Sequence, residues 1–477
     1  DGGEDIYIRD HQLNHAWNGD RVLVKVTREG GRRRSPEGGV QCILERRTAS
    51  LLAQVEQQES RLVATPLDDR LLTSIELPEG DAQHLDPERT SVVEVLVDRY
   101  PVGQFSPQGH VARQLPVKGG EAADLDLLLT KHHLHERAAA PRATLKALAP
   151  KDRADLTDQP ALLLQGWTGK EAPGGTAICL EEREGGWTLW VHSPAVAERV
   201  GLGSALDLWL RDQGEALCVG RQWLPLLPSA LAKAAAFIAG EDQDAISVAL
   251  DLDGEGTLEH YRFSRSRIKP VATVDAAALT ALAERKPKSR TVPAALKAIK
   301  DHQQQLENLV AVAELLHRQR LSQGSIDLDL GLPAIDSLGD LAVPGPDSPL
   351  HGWFVQLPMH HPMALARECV LVAERALGQH LTALSLPALF GTNAAADPND
   401  LNDVAKAALA LDIPLELSEE GDASAAELAA AFATTDRNRA LQQQLQGALK
   451  PILLASETAD HALAGLKGDG AALAPWC

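Results

Sequence analysis

The sequence predicts an α+β multidomain protein, with N-terminal OB-fold or cold-shock-type β-barrels followed by an α+β region whose second half is rich in helix. Three observations carry this expectation. Short β-rich runs with period-two alternation fill the first ~120 residues. Strand-like runs bounded by turn signals recur further on, and amphipathic stretches rich in Ala and Leu dominate the last third. A length of 477 residues suits three or four domains at roughly 100–200 residues each.

In chain order, the β-rich runs are Asp5-Ile6-Tyr7-Ile8, Arg21 to Val26, Gly39 to Leu44, Arg61 to Ala64 and Ser91 to Val97. Strands this short and this frequent suit small Greek-key barrels. The expected division is a first barrel over 1–48, incomplete at its start, a second over 49–125, a connector over 126–154, and a large α+β domain over 155–477. The polar stretch 117–158 carries Lys131-His132-His133-Leu134-His135 and then an Ala/Lys/Arg-rich, helix-like segment. Three close histidines suit a metal, but no Cys or carboxylate completes the set, so a solvated face is preferred.

From 155 to 270 the pattern turns to α+β. Trp187 to His192 and Ala245 to Leu250 read as strands, and Asp253-Gly254-Glu255-Gly256 as the turn leading on to the run from Thr257 to Phe263. Residues 291–320 read as one long amphipathic helix, with further helices over 363–384, 399–411, 424–434 and 437–454. Trp187 and Trp190 read as packing residues rather than stacking platforms. His360-His361 lacks a nearby carboxylate and reads as loop, and Asp327 and Asp329 read as a solvated strand face.

Composition narrows the function. With 66 acidic against 46 basic side chains the formal charge is -20, which disfavours a generic polybasic binder of membranes or nucleic acid. Residues 386–477 alone hold 13 Asp/Glu against 5 Lys/Arg. The compact basic cluster is Arg32-Arg33-Arg34 with Arg46-Arg47, a candidate phosphate contact or a solvated loop. Five scattered cysteines form no C-x-x-C pair, which argues against a disulfide framework or structural zinc. No apolar run reaches the ~18 residues a bilayer span needs, so the expectation is a cytoplasmic protein without a membrane partner. The abrupt start at Asp1 reads as a segment of a longer chain.

Ordered motifs then carry a resemblance. Ala154 to Pro160, Glu184 to Ala197 with its Gly-Gly-Trp-Thr-Leu-Trp-Val-His core, Ser204-Ala205-Leu206-Asp207, Trp223 to Pro228 and Gly324-Ser325-Ile326 resemble, in sequence order, the RNB domain of RNase II and RNase R exoribonucleases, with the Zam-type branch as the candidate subgroup. Asp5-Ile6-Tyr7-Ile8 with Gly19-Asp20-Arg21-Val22, and Val97-Asp98-Arg99-Tyr100-Pro101, are similar to that family's cold-shock domains, so Tyr7 joins the five arginines above as an RNA-binding candidate.

The resemblance implies hydrolysis of RNA from its 3′ end by four Asp in a loop of the form T-I-D-x5-D-x-D-D-A that bind Mg²⁺, with no preference for DNA. Carboxylate-held divalent ions stabilise the charge that builds on the attacking and leaving oxygens. Here the four positions fall on Trp167, Pro173, Gly175 and Thr176, and Glu171 is the one carboxylate nearby, beside Lys170. Two base-stacking Tyr positions of the family fall on Val274 and Cys218. The family's catalytic Arg segment and S1 domain would follow Cys477. The expectation is therefore a catalytically inactive RNB-type protein, without a cofactor, that binds RNA, a protein partner or a larger assembly. An active 3′-5′ exoribonuclease, using Mg²⁺ through Glu171 with Asp155 or Asp158, or through residues beyond Cys477, is the alternative, and a pure protein-interaction scaffold is the second.

Overall fold

The computed structural model describes residues 5–30, 35–85, 91–116, 121–134, 139–148, 152–167, 169–219, 222–286, 292–328, 357–415, 423–450, 452–468 and 471–472. They separate into two compact units, one up to residue 138 and one from 139 onward.

In the first unit, β1 (Tyr7–Ile8), β2 (Arg21–Arg28) and β3 (Glu37–Glu45) form a sheet in the order β1-β3-β2. β4 (Ser50–Gln58), β5 (Arg61–Pro66), β6 (Ile75–Glu76), β7 (Ser91–Arg99) and β8 (Gln108–Pro116) close into a barrel. Alternate residues of these strands, among them Ala53, Val55, Ala64, Val93 and Val95, fill its interior. A helix, α1 (Glu121–Lys131), follows. It falls within the stretch 117–158 expected to be polar, and Ala123 and Leu129 give it a buried side.

The second unit opens with β9 (Ala154–Leu156), β10 (Leu162–Leu164), β11 (Thr176–Arg183) and β12 (Gly186–Pro194). α2 (Val196–Arg199), α3 (Ala205–Gln213), the β13 (Leu217–Val219) and β14 (Gln222–Leu224) hairpin, and α4 (Ser229–Ala235) come next. β15 (Gln243–Asp253), β16 (Leu258–Ile268) and β17 (Ala272–Val274) complete a seven-stranded sheet in the order β17-β10-β11-β12-β15-β16-β9. α5 (Ala276–Ala283), α6 (Gln303–Ser322) and α7 (Pro362–Ala383) follow. Leu162, Leu164, Ile178, Val191 and Leu250 pack on one sheet face with Leu306, Leu309 and Leu365 of α6 and α7. Leu163, Ala177, Cys179 and Ala245 bury the other face. Burial on both faces explains why Ala161 to Leu164 reads as a continuous apolar run.

The last elements are β18 (Phe390–Thr392), α8 (Pro398–Leu409), α9 (Ala425–Ala433), α10 (Asn438–Ala448), β19 (Leu453–Ala455) and β20 (Ala471–Ala472). Leu401, Val404, Leu428, Phe432 and Leu445 form a separate core among the three helices.

Three expectations need correction. The helix expected over 291–320 begins as a 3₁₀ stretch, Ala294–His302, and becomes α-helical at Gln303. Leu296 and Ile299, three apart, both reach the core, which suits three residues per turn. The helix expected to run to 454 ends at Ala448, because Pro451 disfavours helical backbone in the residue before it, and β19 follows. Residues 139–148, expected to be helix-like, are irregular. Among the described residues no helix is long and apolar enough to cross a membrane.

Candidate functional site

Antiparallel pairing of β10 with β11 fixes both ends of the loop 165–175. Gln165 donates its backbone N–H to Val274 O at 2.9 Å and its Nε2 to Trp167 O at 2.7 Å. Gly166 is buried against Met363 at the start of α7. Trp167 is half-buried, its ring meeting that of Trp223 at 5.3 Å and 77°, and Trp223 on β14 is itself only 7% exposed. Pro173 and Thr176 are half-buried, and Thr176 pairs with Leu164. At Gly175 an added Cβ would lie 2.1 Å from Leu164 O, so no larger residue fits this backbone path. Glu171 is exposed in a turn with φ 66°.

The carboxylates proposed to join Glu171 are engaged or apart from any cluster. Asp155 Oδ1 accepts from the Thr157 backbone N–H at 3.1 Å and hydroxyl at 2.7 Å, which lowers its pKa. Among the described residues, the one group of three His, Cys, Asp or Glu side chains close enough to share an ion is His317, Asp327 and Glu368.

That group lies where α6 meets α7, and it corrects the reading of Asp327 as solvated. Arg320 donates to Glu368 through Nε at 2.9 Å and Nη2 at 2.8 Å, and to Asp327 through Nη1 at 2.9 Å and Nη2 at 3.0 Å. Arg367 reaches Asp327 at 3.0 Å and Glu368 at 3.1 Å, and His317 Nδ1 lies 3.2 Å from Glu368 Oε1. Burial pushes the Glu368 carboxyl up, but the His317 and Arg320 hydrogen bonds and the nearby guanidinium charges outweigh it and hold it at about 2. Two guanidiniums therefore supply the countercharge a metal ion would, and the cluster reads as an ion-pair network. Asp329 lies outside the described residues.

The other candidates divide sharply. Tyr7 is 59% exposed, and Arg47 is exposed with its backbone N–H on Asp20. Arg46 is committed internally. Its Nη1 donates to Asp20 Oδ2 at 2.7 Å and His15 O at 3.0 Å, and its guanidinium lies 4.4 Å from the Tyr100 ring centroid. Arg32, Arg33 and Arg34 lie outside the described residues, as does His135. His133 Nδ1 meets Ser50 Oγ at 3.4 Å, while His361 caps α7 by accepting from Met363 N at 3.2 Å. Val274 is fully buried in β17, and Cys218 is half-buried in the β13–β14 hairpin.

One group escaped the sequence reading altogether. His192 Nδ1 hydrogen-bonds Ser247 Oγ at 2.7 Å, which in turn contacts Ser266 Oγ, and burial pushes the imidazole down to about 3. Nothing in the sequence signalled it, because the three residues come from β12, β15 and β16.

The RNB domain family matches residues 153–472, and the Ribonuclease B OB domain matches residues 1–43. The chain belongs to the RNB family of RNase II/R-type proteins. This RNB protein is 33% identical over 432 residues to the acetazolamide conferring resistance protein zam of Synechocystis sp., covering 88% of the chain and 53% of that relative. It is 25% identical over 276 residues to Ribonuclease R of Acidithiobacillus ferrooxidans, covering 56% of the chain and 62% of the relative. The chain thus spans between half and two thirds of these relatives. Among solved structures it resembles Mycoplasma genitalium RNase R in complex with ribose-methylated single-stranded RNA, with a TM-score of 0.74 at 14% identity over 98% of this chain and 72% of that one. It also resembles yeast Ssd1, described as a pseudonuclease, with a TM-score of 0.68 at 13% identity over 94% and 55% of the two chains. These likenesses show the fold.

Mg²⁺ is the ion the RNB family implies, and the residues of this loop do not fit it. A hard divalent ion needs several oxygen ligands, and Trp, Pro and Gly at three of the four positions offer no side-chain oxygen. Closure of the Gly175 position by Leu164 O leaves no room for a replacement.

Proposed function

We propose that this chain is a catalytically inactive RNB-family protein that binds RNA without hydrolysing it. The observation that supports this reading is at the loop between β10 and β11, where Trp167 packs on Trp223 and Gly175 lies close to Leu164 O, with no carboxylate at residues 167, 173, 175 and 176. Exposed Tyr7 and Arg47 on the N-terminal unit offer a ring for stacking and a cation for phosphate. In sequence, Arg32, Arg33 and Arg34 add positive charge to the same N-terminal region of a chain of net charge -20.

The test is incubation of the full chain with 5′-labelled single-stranded RNA and Mg²⁺ or Mn²⁺. Intact RNA is expected, together with filter binding that weakens as salt rises. An EDTA-sensitive processive ladder ending in nucleoside 5′-monophosphates would overturn the proposal in favour of an exoribonuclease. A second reading, a protein-interaction scaffold, is favoured by Leu453 and Leu454, each 63% exposed on the sheet-edge strand β19 within the acidic C-terminal region. Failure to bind poly(A) at either of two salt concentrations selects it.

A further inference from the structure

We infer that the cleft between the C-terminal end of α6, the middle of α7 and the turn 465–467 binds a small organic anion, a phosphate monoester carried on an apolar or planar group. The cleft has a volume of about 350 Å³ and is lined by Gln323, Arg375, Leu466 and Lys467, a size that suits a small ligand. It continues into a narrower groove walled by Leu316 and Leu371, with Arg375 and Leu466 common to both.

Two cations from distant parts of the chain meet here. Arg375 comes from α7, and Lys467 is one of only 5 basic residues in the 92 from 386 to 477. Among the described residues neither has an ion-pair partner, whereas the cleft's neighbouring carboxylate, Glu368, is already held by Arg320 and Arg367. The final carbonyls of α6 do not absorb them either. Gln319 O and Arg320 O both accept from Gln323 N–H, Arg320 O also from Ser325 N–H, and Leu321 O accepts from Gly324 N–H. Positive charge therefore faces the cleft without an ion-pair partner among the described residues, which favours an anion from outside.

The turn holding Lys467 is fixed. His461 N–H donates to Leu466 O at 2.9 Å and Leu466 N–H returns to His461 O at 3.1 Å. Gly465, at φ 69°, presses onto the end of α6, where a Cβ would meet Gln323 O and Ser325 N at 3.1 Å. The cation is thus presented from a closed backbone turn, and the leucine wall beside it gives the ligand an apolar body to bury.

Calorimetric titration of the full chain with phenyl phosphate, inorganic phosphate and phenol tests the site. Saturable binding of phenyl phosphate is expected, at least tenfold tighter than inorganic phosphate, with none for phenol. Lys467→Gln, on an exposed turn, and Arg375→Gln should each weaken it about tenfold and leave poly(A) binding as it was. Absence of phenyl phosphate binding, equal affinity for inorganic phosphate, or indifference to both substitutions overturns the assignment. So does a parallel loss of poly(A) binding, which would make the cleft part of an RNA path.

Discussion

Between β10 and β11 the chain carries Trp167, Pro173, Gly175 and Thr176 at the four positions where the sequence resemblance expects metal-binding carboxylates, yet at the α6–α7 contact it gathers His317, Arg320, Asp327, Arg367 and Glu368 in one network. The first region has no carboxylate at these positions, and Trp167 packs on Trp223 while the Gly175 backbone lies close to Leu164 O. The second keeps charge because each carboxylate has guanidinium partners, so that removing Arg320, which bonds both, would leave buried charge poorly compensated. Carboxylates whose role is to hold an ion can be lost with the ion, whereas those tied to arginines are tied to the fold.

The largest effect expected from breaking this contrast is at Arg320. Arg320→Met should destabilise the second unit by about 3–5 kcal/mol in urea unfolding, since Glu368 and Asp327 lose their main partner. The double variant Arg320→Met/Glu368→Leu should lose less than the single one. A double variant as damaged as the sum of its parts would mean that the network is not a unit.

Acid should act in two stages. Burial holds His192 down to about 3 and His461 to about 4 against an ordinary 6.5, so unfolding takes up protons first and stability falls as pH drops below about 6.5 towards those values. Glu368, held at about 2 against 4.5, adds a loss on the order of 3 kcal/mol as pH falls from about 4.5 towards 2. A melting temperature that stays level from pH 6.5 to 4.5 would contradict the first stage.

In the loop, Gly175→Asp should place a carboxylate where the resemblance expects one and yet lower stability by about 2–3 kcal/mol, because its Cβ collides with Leu164 O. Gain of Mg²⁺-dependent cleavage by this variant would show that the loop can reopen. At the small end, Glu171→Gln should change stability by less than about 0.5 kcal/mol and leave RNA binding as it was, since Glu171 is exposed and belongs to no metal-type cluster among the described residues.

Much of the fold was legible because its signals are local. Alternation marked β12 and β15, and apolar spacing marked α7, α8 and α9 to within a residue or two. Where the reading slipped, competing terms were at work. The stretch holding α1 was expected to be polar although Ala123 and Leu129 are buried, and Leu296 and Ile299 fit a 3₁₀ stretch as well as they fit a helix. Of the RNA-binding candidates, Arg46 looked equivalent to Arg47 in sequence, but Tyr100, 54 positions on, claims only the first.

By itself, the sequence determined which atoms the chain can offer, and so already left residues 167, 173, 175 and 176 without a carboxylate and set the net charge at -20. No folding can put an oxygen on Trp167 or Gly175. The tertiary structure alone decided which of the remaining charges are spoken for. Arg320 meets Glu368 across 48 positions, Arg46 meets Asp20 across 26, and Arg375 and Lys467 converge without an ion-pair partner among the described residues. The physical reason is that a charge's environment is set by burial and by neighbours brought from far along the chain, which no local pattern of residues specifies.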